Sequence, residues 1–260
     1  MLYSGYEQLL VEKQQKVLII KFNNARKKNC LNQPAYKEIT RALESVNEDA
    51  EVTVVVFIGE GEYFSAGNDL SQRDNVTDID AYLIEANRVL KALIYSFINC
   101  QKLIIALVNG PAIGIGCTLV ALSDVAWCSE QAYFLTPFSS LGLVPEACSS
   151  YLFPIILGKS KANEMLVLNE KLTAQEAYQF SFVSRIFKSS ELHSVVWAKI
   201  HQYSELPPNS LKECKRLIQL PLKEQLNRAC EVECETLLKR FYDEEFMQAI
   251  VNFAMRKSKL

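Results

Sequence analysis

Residues 103–122 read LIIALVNGPAIGIGCTLVAL, and this stretch decides how the chain folds. Its first six residues are a continuous apolar run, which predicts a strand buried on both faces of a parallel sheet. A glycine-rich loop follows, and the apolar run from Cys117 to Leu122 then predicts a helix. Glycine adopts backbone angles closed to other residues and lets a ligand approach the main chain closely. The stretch therefore predicts a strand, a loop open to a ligand and a helix.

An earlier stretch, VTVVVFIGEGEYFSAGNDL at residues 52–70, begins in the same way, with a buried strand followed by a glycine loop. Six of the nine glycines of the chain lie in these two loops, at positions 59, 61, 67, 110, 114 and 116. Open α/β sheets bind ligands at the carboxyl ends of their parallel strands. We therefore expect the functional site to lie where the two loops meet.

Strands alternate with amphipathic helices around these stretches. Alternating runs at residues 8–12 and 16–22 predict a hairpin, and Asn32 before Pro34 predicts the start of a helix. Further patterns predict a helix over 79–97, a short strand over 124–128 and a helix opened by the capping box at Thr173. This alternation indicates an α/β fold with parallel pairing, whereas the pattern beyond Pro207 predicts only helices. We divide it into a core, 1–205, and a C-terminal helical region, 206–260.

Composition excludes several classes of function. The chain has 260 residues, 49% of them hydrophobic and 22% charged, which indicates one or two globular domains. Its 28 basic and 30 acidic residues leave no net positive charge for nucleic acid. Two histidines, and eight cysteines without a C-x-x-C pair, predict neither a metal centre nor a redox cofactor. No apolar run approaches the ~18 residues of a membrane span.

The glycine loops do not match nucleotide-binding motifs. Gly114-Ile115-Gly116 supplies G-x-G, but Leu119 stands where the dinucleotide fingerprint has glycine, and neither loop carries the Gly-Lys-Ser/Thr of a P-loop. What remains is a helix N-terminus with free N–H groups. Such a site can stabilise negative charge that develops on an oxygen.

The segment 64–70 (FSAGNDL), followed some forty residues later by 109–114 (NGPAIG), resembles the crotonase, or enoyl-CoA hydratase/isomerase, superfamily. The resemblance continues through 134–138 and 171–177 and covers essentially the whole chain. Within the superfamily, residues 136–154 are similar to those of peroxisomal Δ3,Δ2-enoyl-CoA isomerases. The resemblance implies a crotonase-like spiral of ββα units with a C-terminal helical trimerisation region. It also implies an acyl-CoA substrate and a homotrimer or a dimer of trimers.

The resemblance also implies roles for individual residues. Backbone N–H groups of Ala66 and Ile115 would form an oxyanion hole, and Glu146 would be the single base. Hydratases of the superfamily carry two glutamates, but the matching positions here hold Thr118 and Phe138, neither of which can act as a base. The expected reaction is therefore isomerisation of 3-enoyl-CoA to trans-2-enoyl-CoA in the β-oxidation of unsaturated fatty acids. The residues alone favour a solvated loop residue or a charge at a helix start for Glu146, and the resemblance reverses this interpretation.

Other residues are expected to bind the substrate. Basic side chains at 26–28 could meet CoA phosphates or simply form a solvated turn. The polar segment 71–80 could gate the acyl tunnel. The full set expected to bind substrate and CoA is Lys28, Ser65, Ala66, Asn68, Asp69, Leu70, Gly114, Phe138, Phe253 and Lys257.

Two functions remain as alternatives to isomerisation. One is another crotonase reaction, either enoyl-CoA hydration or dienoyl-CoA isomerisation. The other is a non-catalytic acyl-CoA-binding module, since the chain also resembles the crotonase-like domain of chromodomain Y-like proteins. Ser258, Lys259 and Leu260 match the peroxisomal targeting tripeptide. They predict binding to the peroxisomal import receptor and a location in the peroxisomal matrix.

Overall fold

A computed structural model describes residues 2–69 and 78–257, without the side chains of residues 253, 254, 256 and 257. Its core is a six-stranded sheet in the order β1-β2-β3-β4-β6-β9. The first two strands form the predicted antiparallel hairpin, and each further neighbour in this sheet pairs in parallel. The strands of the molecule are β1 (Leu9–Gln14), β2 (Val17–Phe22), β3 (Val54–Gly59), β4 (Leu103–Val108), β5 (Ala112–Ile113), β6 (Val125–Ser129), β7 (Tyr133–Leu135), β8 (Leu172–Thr173) and β9 (Arg185–Phe187).

A second, smaller layer lies beside the main sheet and consists of β5, β7 and β8. Isolated bridges from Leu31 to Asn68 and from Ser65 to Ala112 extend this layer toward the hairpin. After a strand of the main sheet, the chain passes through the second layer and then enters a helix. This repeat confirms the expected spiral of ββα units.

Helices cover the sheets, and their starts follow the capping signals in the sequence. The Asn32 side chain accepts the Ala35 N–H at 2.8 Å, and Thr173 forms a capping box with Glu176. The helices are α1 (Gln33–Glu48), α2 (Ile79–Asn99), α3 (Ile115–Leu122), α4 (Ser149–Leu157), α5 (Lys159–Leu166), α6 (Ala174–Gln179), α7 (Trp197–Ser204), α8 (Pro208–Gln219), α9 (Lys223–Arg240) and α10 (Glu244–Lys257).

The C-terminal helices pack back onto the core. Helix α9 lies against α2 and α4. Helix α8 is attached through Lys215, whose ammonium lies 2.7 Å from the Asp124 carboxylate and donates to the Lys102 carbonyl at 2.8 Å. The Lys215 side chain is almost fully buried, so removing its partner would leave an uncompensated charge. The division of the chain at 205/206 stays a prediction.

In the described ranges, no helix combines the length and the apolar character needed to cross a membrane.

Candidate active site

The two glycine loops pack backbone against backbone. The Ile113 N–H donates to the Ser65 carbonyl at 2.9 Å. Gly67 has φ +89°, and a Cβ at this position would lie 2.9 Å from the Ile113 carbonyl oxygen. Any side chain at residue 67 would therefore be strained and would also push the loops apart. The close approach brings the start of α3 next to the first loop.

Helix α3 begins at Ile115 with an unpaired N–H. Gly114 caps the helix with φ +55°, and its own N–H donates to the Leu135 carbonyl at 2.8 Å. The Ile115 N–H has no acceptor among residues 2–69 and 78–257, as expected of the first turn of a helix. Because the helix dipole is positive at this end, the group can receive a developing negative charge.

The structure contradicts the choice of Ala66 as the second donor. Its N–H donates to the Lys28 carbonyl at 2.8 Å and is not available to a ligand. The hydrogen bonding differs around Asn68, two residues later. The Leu31 N–H donates to the Gly67 carbonyl, and the Leu31 carbonyl accepts the Asp69 N–H, both at 2.8 Å. The intervening Asn68 N–H points away from this bridge and has no acceptor within the described part of the chain. Asn68, therefore, carries the free N–H of the first loop.

Ser65 stabilises the conformation of the first loop and is not placed to bind a ligand. It is fully buried, and its hydroxyl donates to the Asn29 carbonyl at 2.8 Å and accepts from the Gly67 N–H at 3.1 Å. With both bonds made inside the loop, we no longer assign this side chain to substrate.

Asn29 is a structural residue of the site that sequence reasoning missed. It is buried with φ +55°, and its Nδ2 donates to the carbonyls of Glu60 and Tyr63 at 2.8 and 2.7 Å. It thereby ties the basic turn at 26–28 to the first loop. A single asparagine in a polar turn carries no sequence signal for this role beyond its tolerance of left-handed backbone. The neighbouring Lys28 is exposed, with its ammonium 4.9 Å from the centre of the Tyr63 ring.

A pocket opens beside the first loop, between α1, α2 and α9. Glu146 and Asn68 both line this pocket, so the candidate base and the residue with the free N–H of the first loop border the same space. Both polar and apolar side chains form this wall. The lining residues are Asn32, Gln33, Tyr36, Asn68, Asp69, Tyr82, Leu83, Ala86, Asn87, Leu90, Glu146, Leu237 and Phe241.

Glu146 combines a half-buried position with the absence of a counter-charge. Burial, and after it the nearby carboxyl of Glu233, raise the pKa of Glu146 to about 8. Over the described residues, its carboxyl accepts no hydrogen bond and forms no ion pair. Asp69, the other carboxylate of the wall, is instead paired with Lys27 at 2.9 Å. Glu146 is thus poised to exchange a proton near neutral pH.

Three polar residues of the pocket gave no signal in the sequence. Tyr36 is buried on α1, and burial together with the charge of Glu146 raises the pKa of its hydroxyl. In the described part of the molecule, Gln33 Nε2 and Asn87 Oδ1 are buried without a hydrogen-bond partner. Buried polar atoms are normally paired, so these two are available to polar groups of a ligand. In the sequence, each is one residue of an amphipathic helix.

Comparison with known proteins agrees with this architecture. The sequence model of the enoyl-CoA hydratase/isomerase family matches residues 12–259. The chain belongs to this family. A crystal structure of an enoyl-CoA hydratase/isomerase from Pseudoalteromonas atlantica T6c is 31% identical in sequence, with a TM-score of 0.88 over 96% of this chain and 98% of that one. The crotonase fold expected from the resemblance is therefore confirmed.

Two curated relatives of the enoyl-CoA hydratase/isomerase family cover nearly the whole chain. Enoyl-CoA delta isomerase 2 from Homo sapiens is 40% identical over 99% of this chain and 66% of its own length. Enoyl-CoA delta isomerase 3, peroxisomal, from Mus musculus is 39% identical over 96% of this chain and 79% of its own length. The chain thus spans about two thirds of the length of the human protein.

The two positions that the resemblance matches to the glutamates of hydratases hold no acidic or basic side chain here. Thr118 is fully buried and its hydroxyl donates to the Ile115 carbonyl at 3.2 Å within α3. Phe138 is buried in the hydrophobic core and is absent from the pocket wall, and its role as a substrate contact stays a prediction. Neither side chain can take a proton from a substrate.

Several predicted residues lie outside the described part of the chain. These are Leu70, most of the proposed gate (residues 71–77) and the targeting tripeptide at 258–260. Phe253 and Lys257 belong to α10, but their side chains are also outside the description. Their roles stay predictions.

Proposed function

We propose that this chain isomerises 3-enoyl-CoA thioesters to trans-2-enoyl-CoA. The observation that carries the proposal is Glu146, a carboxyl with a pKa of about 8 on the wall of a pocket that is also lined by Asn68, whose N–H has no acceptor among the described residues. Membership of the enoyl-CoA hydratase/isomerase family supports an acyl-CoA thioester as the substrate. The names of the human and mouse relatives support isomerisation.

In the proposed reaction, the Glu146 carboxylate removes a proton from C2 of the 3-enoyl thioester. The electron pair of the C2–H bond spreads over a dienolate, whose charge lies mainly on the thioester oxygen. The N–H groups of Asn68 and Ile115 stabilise that oxygen, in the manner of an oxyanion hole. Glu146 then returns the proton to C4, and the double bond moves from C3=C4 to C2=C3.

A single carboxyl suffices for this proton transfer, since no water is added. Hydration by the family's usual route requires a second glutamate to activate water, and Thr118 and Phe138 stand at the matching positions. The absence of a second glutamate therefore favours isomerisation over hydration. The proposed reaction uses no cofactor, because coenzyme A enters as part of the substrate.

We further propose that the coenzyme A part lies along the first loop and the basic turn before it. Arg26, Lys27 and Lys28 are exposed there and could meet its phosphates. Lys27 already pairs with Asp69, which orders the turn next to the pocket. Phe253 and Lys257 are proposed to complete the nucleotide pocket.

Location and assembly are proposed on separate grounds. The tripeptide Ser258-Lys259-Leu260 and the name of the mouse relative support recognition by the peroxisomal import receptor and a place in peroxisomal β-oxidation. Leu217, Ile218 and Leu220 are more than half exposed on and just after α8, which supports self-association of the C-terminal region. We propose a trimer or a dimer of trimers because the family resemblance implies it.

An assay with two substrates tests the proposed activity. The purified protein is incubated with 3-hexenoyl-CoA and, separately, with 2-hexenoyl-CoA. Conversion of the first to 2-hexenoyl-CoA supports the isomerase. Rapid hydration of the second, with no conversion of the first, would instead identify a hydratase. Binding of both without any turnover would identify an acyl-CoA-binding module.

The pH dependence of kcat/KM provides a prediction that follows from the raised pKa of Glu146. The base must be ionised, so activity is present above its pKa and lost below it. We expect kcat/KM to rise about tenfold per pH unit below pH 8 and to level off above it. Initial rates from pH 6 to 9.5 measure this. A profile already flat at pH 6 would indicate a glutamate with an ordinary pKa of about 4.3 and contradict the proposal.

A further inference from the structure

Glu233 lies on α9, directly behind the segment that carries Glu146. Its side chain is nearly fully buried. One carboxyl oxygen accepts the Cys148 N–H at 2.7 Å, and the other accepts the Ser150 N–H at 2.8 Å. A carboxylate far along the chain thus binds two N–H groups at the N-terminus of α4, where negative charge is stabilised by the helix.

The segment held by Glu233 has an unusual backbone. Ala147 and Cys148 both have left-handed conformations, with φ +55° and +60°, although neither is glycine. Such residues are costly and persist only where their surroundings hold them in place. The bond from the Cys148 N–H to Glu233 is part of that support. Glu146 is the residue immediately before this left-handed pair, so the direction of its carboxyl depends on the turn.

We propose that Glu233 is a positioning residue for the proton transfer: by accepting the N–H groups of Cys148 and Ser150, its carboxylate fixes the turn that aims Glu146 into the pocket. The inference rests on the proposed function, and it adds a residue that does not touch the substrate.

The negative charge of Glu233 also raises the pKa of Glu146. Burial raises the pKa of Glu233 as well, but its two N–H donors oppose this by stabilising the ionised form, whereas the Glu146 carboxyl has no such donor among the described residues. Glu233 therefore ionises first, and its charge contributes to the raised pKa of Glu146. Three further titratable groups near the pair are neutral near pH 7: burial and then a nearby carboxyl raise the pKa of the Cys148 thiol and of the Tyr36 hydroxyl, and a hydrogen bond with Cys230, followed by burial, raises the pKa of the Cys234 thiol. Cys230 lies beside Cys234.

Glu233→Gln tests both effects. The amide offers one oxygen in place of two, so at least one of the two N–H groups loses its acceptor and the buried charge disappears. We expect kcat for 3-hexenoyl-CoA to fall about tenfold, and the rise of kcat/KM with pH to move from about pH 8 to about pH 7. Glu235→Gln is the matched control, since Glu235 lies on the same helix and is exposed beside Lys239. It should leave both quantities unchanged.

Glu233→Asp separates geometry from charge. It keeps the carboxylate but shortens it, so we expect a lower kcat with the pH profile still near that of the wild type. It also serves if Glu233→Gln fails to fold. Wild-type kcat and an unshifted profile in Glu233→Gln would overturn the proposal. If only Glu233→Asp folds, wild-type kcat in that variant would do the same.

A measurement without turnover separates this inference from the proposed function. The protein is labelled with ¹³C in its glutamate carboxyls, and Glu146→Gln assigns the resonance of Glu146. If the wild type does not convert 3-hexenoyl-CoA, the isomerase proposal fails. The carboxyl resonance of Glu146 still decides the role of Glu233: a displaced resonance with a lower titration midpoint in Glu233→Gln supports it, and a resonance and midpoint that both keep their wild-type values overturn it.

Discussion

Replacing Glu146 by glutamine is expected to lower kcat for 3-enoyl-CoA isomerisation by at least about 1,000-fold. General acid–base catalysis by one side chain contributes about 100- to 10,000-fold, and Glu146 is proposed to act in both proton transfers. The amide has the shape of the carboxyl but cannot accept the C2 proton. Initial rates with 3-hexenoyl-CoA measure the loss, and KM is expected to change little because the side chain still fills its place on the pocket wall.

Glu164→Gln is the control for this prediction. Glu164 lies on α5 and is partly exposed beside Lys161, outside the pocket. It should retain wild-type kcat. Glu146→Gln should also keep the melting temperature of the wild type, because it removes a carboxyl that has no ion pair within the described residues. A variant that keeps kcat within tenfold of the wild type would show that another group moves the proton.

Replacing Ile115 by proline is expected to lower kcat about 100- to 1,000-fold, which is typical of losing one oxyanion donor. Ile115 is the first residue of α3, a position where proline is well tolerated because its missing N–H is unpaired in any helix. The substitution therefore removes the proposed donor and keeps the helix. Single-turnover rates with 3-hexenoyl-CoA measure the effect on the chemical step.

Ile115→Ala separates the N–H from the side chain. Ile115 is fully buried, so both variants lose packing and should unfold at a lower temperature than the wild type. Only the proline variant loses the N–H, and the alanine variant should keep kcat within a few-fold of the wild type. Equal losses of kcat in the two variants would mean that packing, and not the backbone donor, supports the reaction.

Local patterns in the sequence were enough to predict the elements that build the site. The apolar run at 103–108 coincides with β4, and Asn32 and Thr173 cap α1 and α6 as expected. Periodicity and capping depend on residues within a few positions of one another. Resemblance to the family then directed attention to the two glycine loops and to Glu146.

Only the tertiary structure decided which groups of the site are free and what charge they carry. Ala66 and Asn68 are equivalent in the sequence as backbone donors, but Lys28 occupies the first N–H and the bridge with Leu31 leaves the second unpaired. The raised pKa of Glu146 likewise depends on burial and on Glu233, a residue of a distant helix. A sequence determines local conformation through short-range contacts, whereas hydrogen-bond pairing and desolvation are set by segments that meet only when the chain is folded.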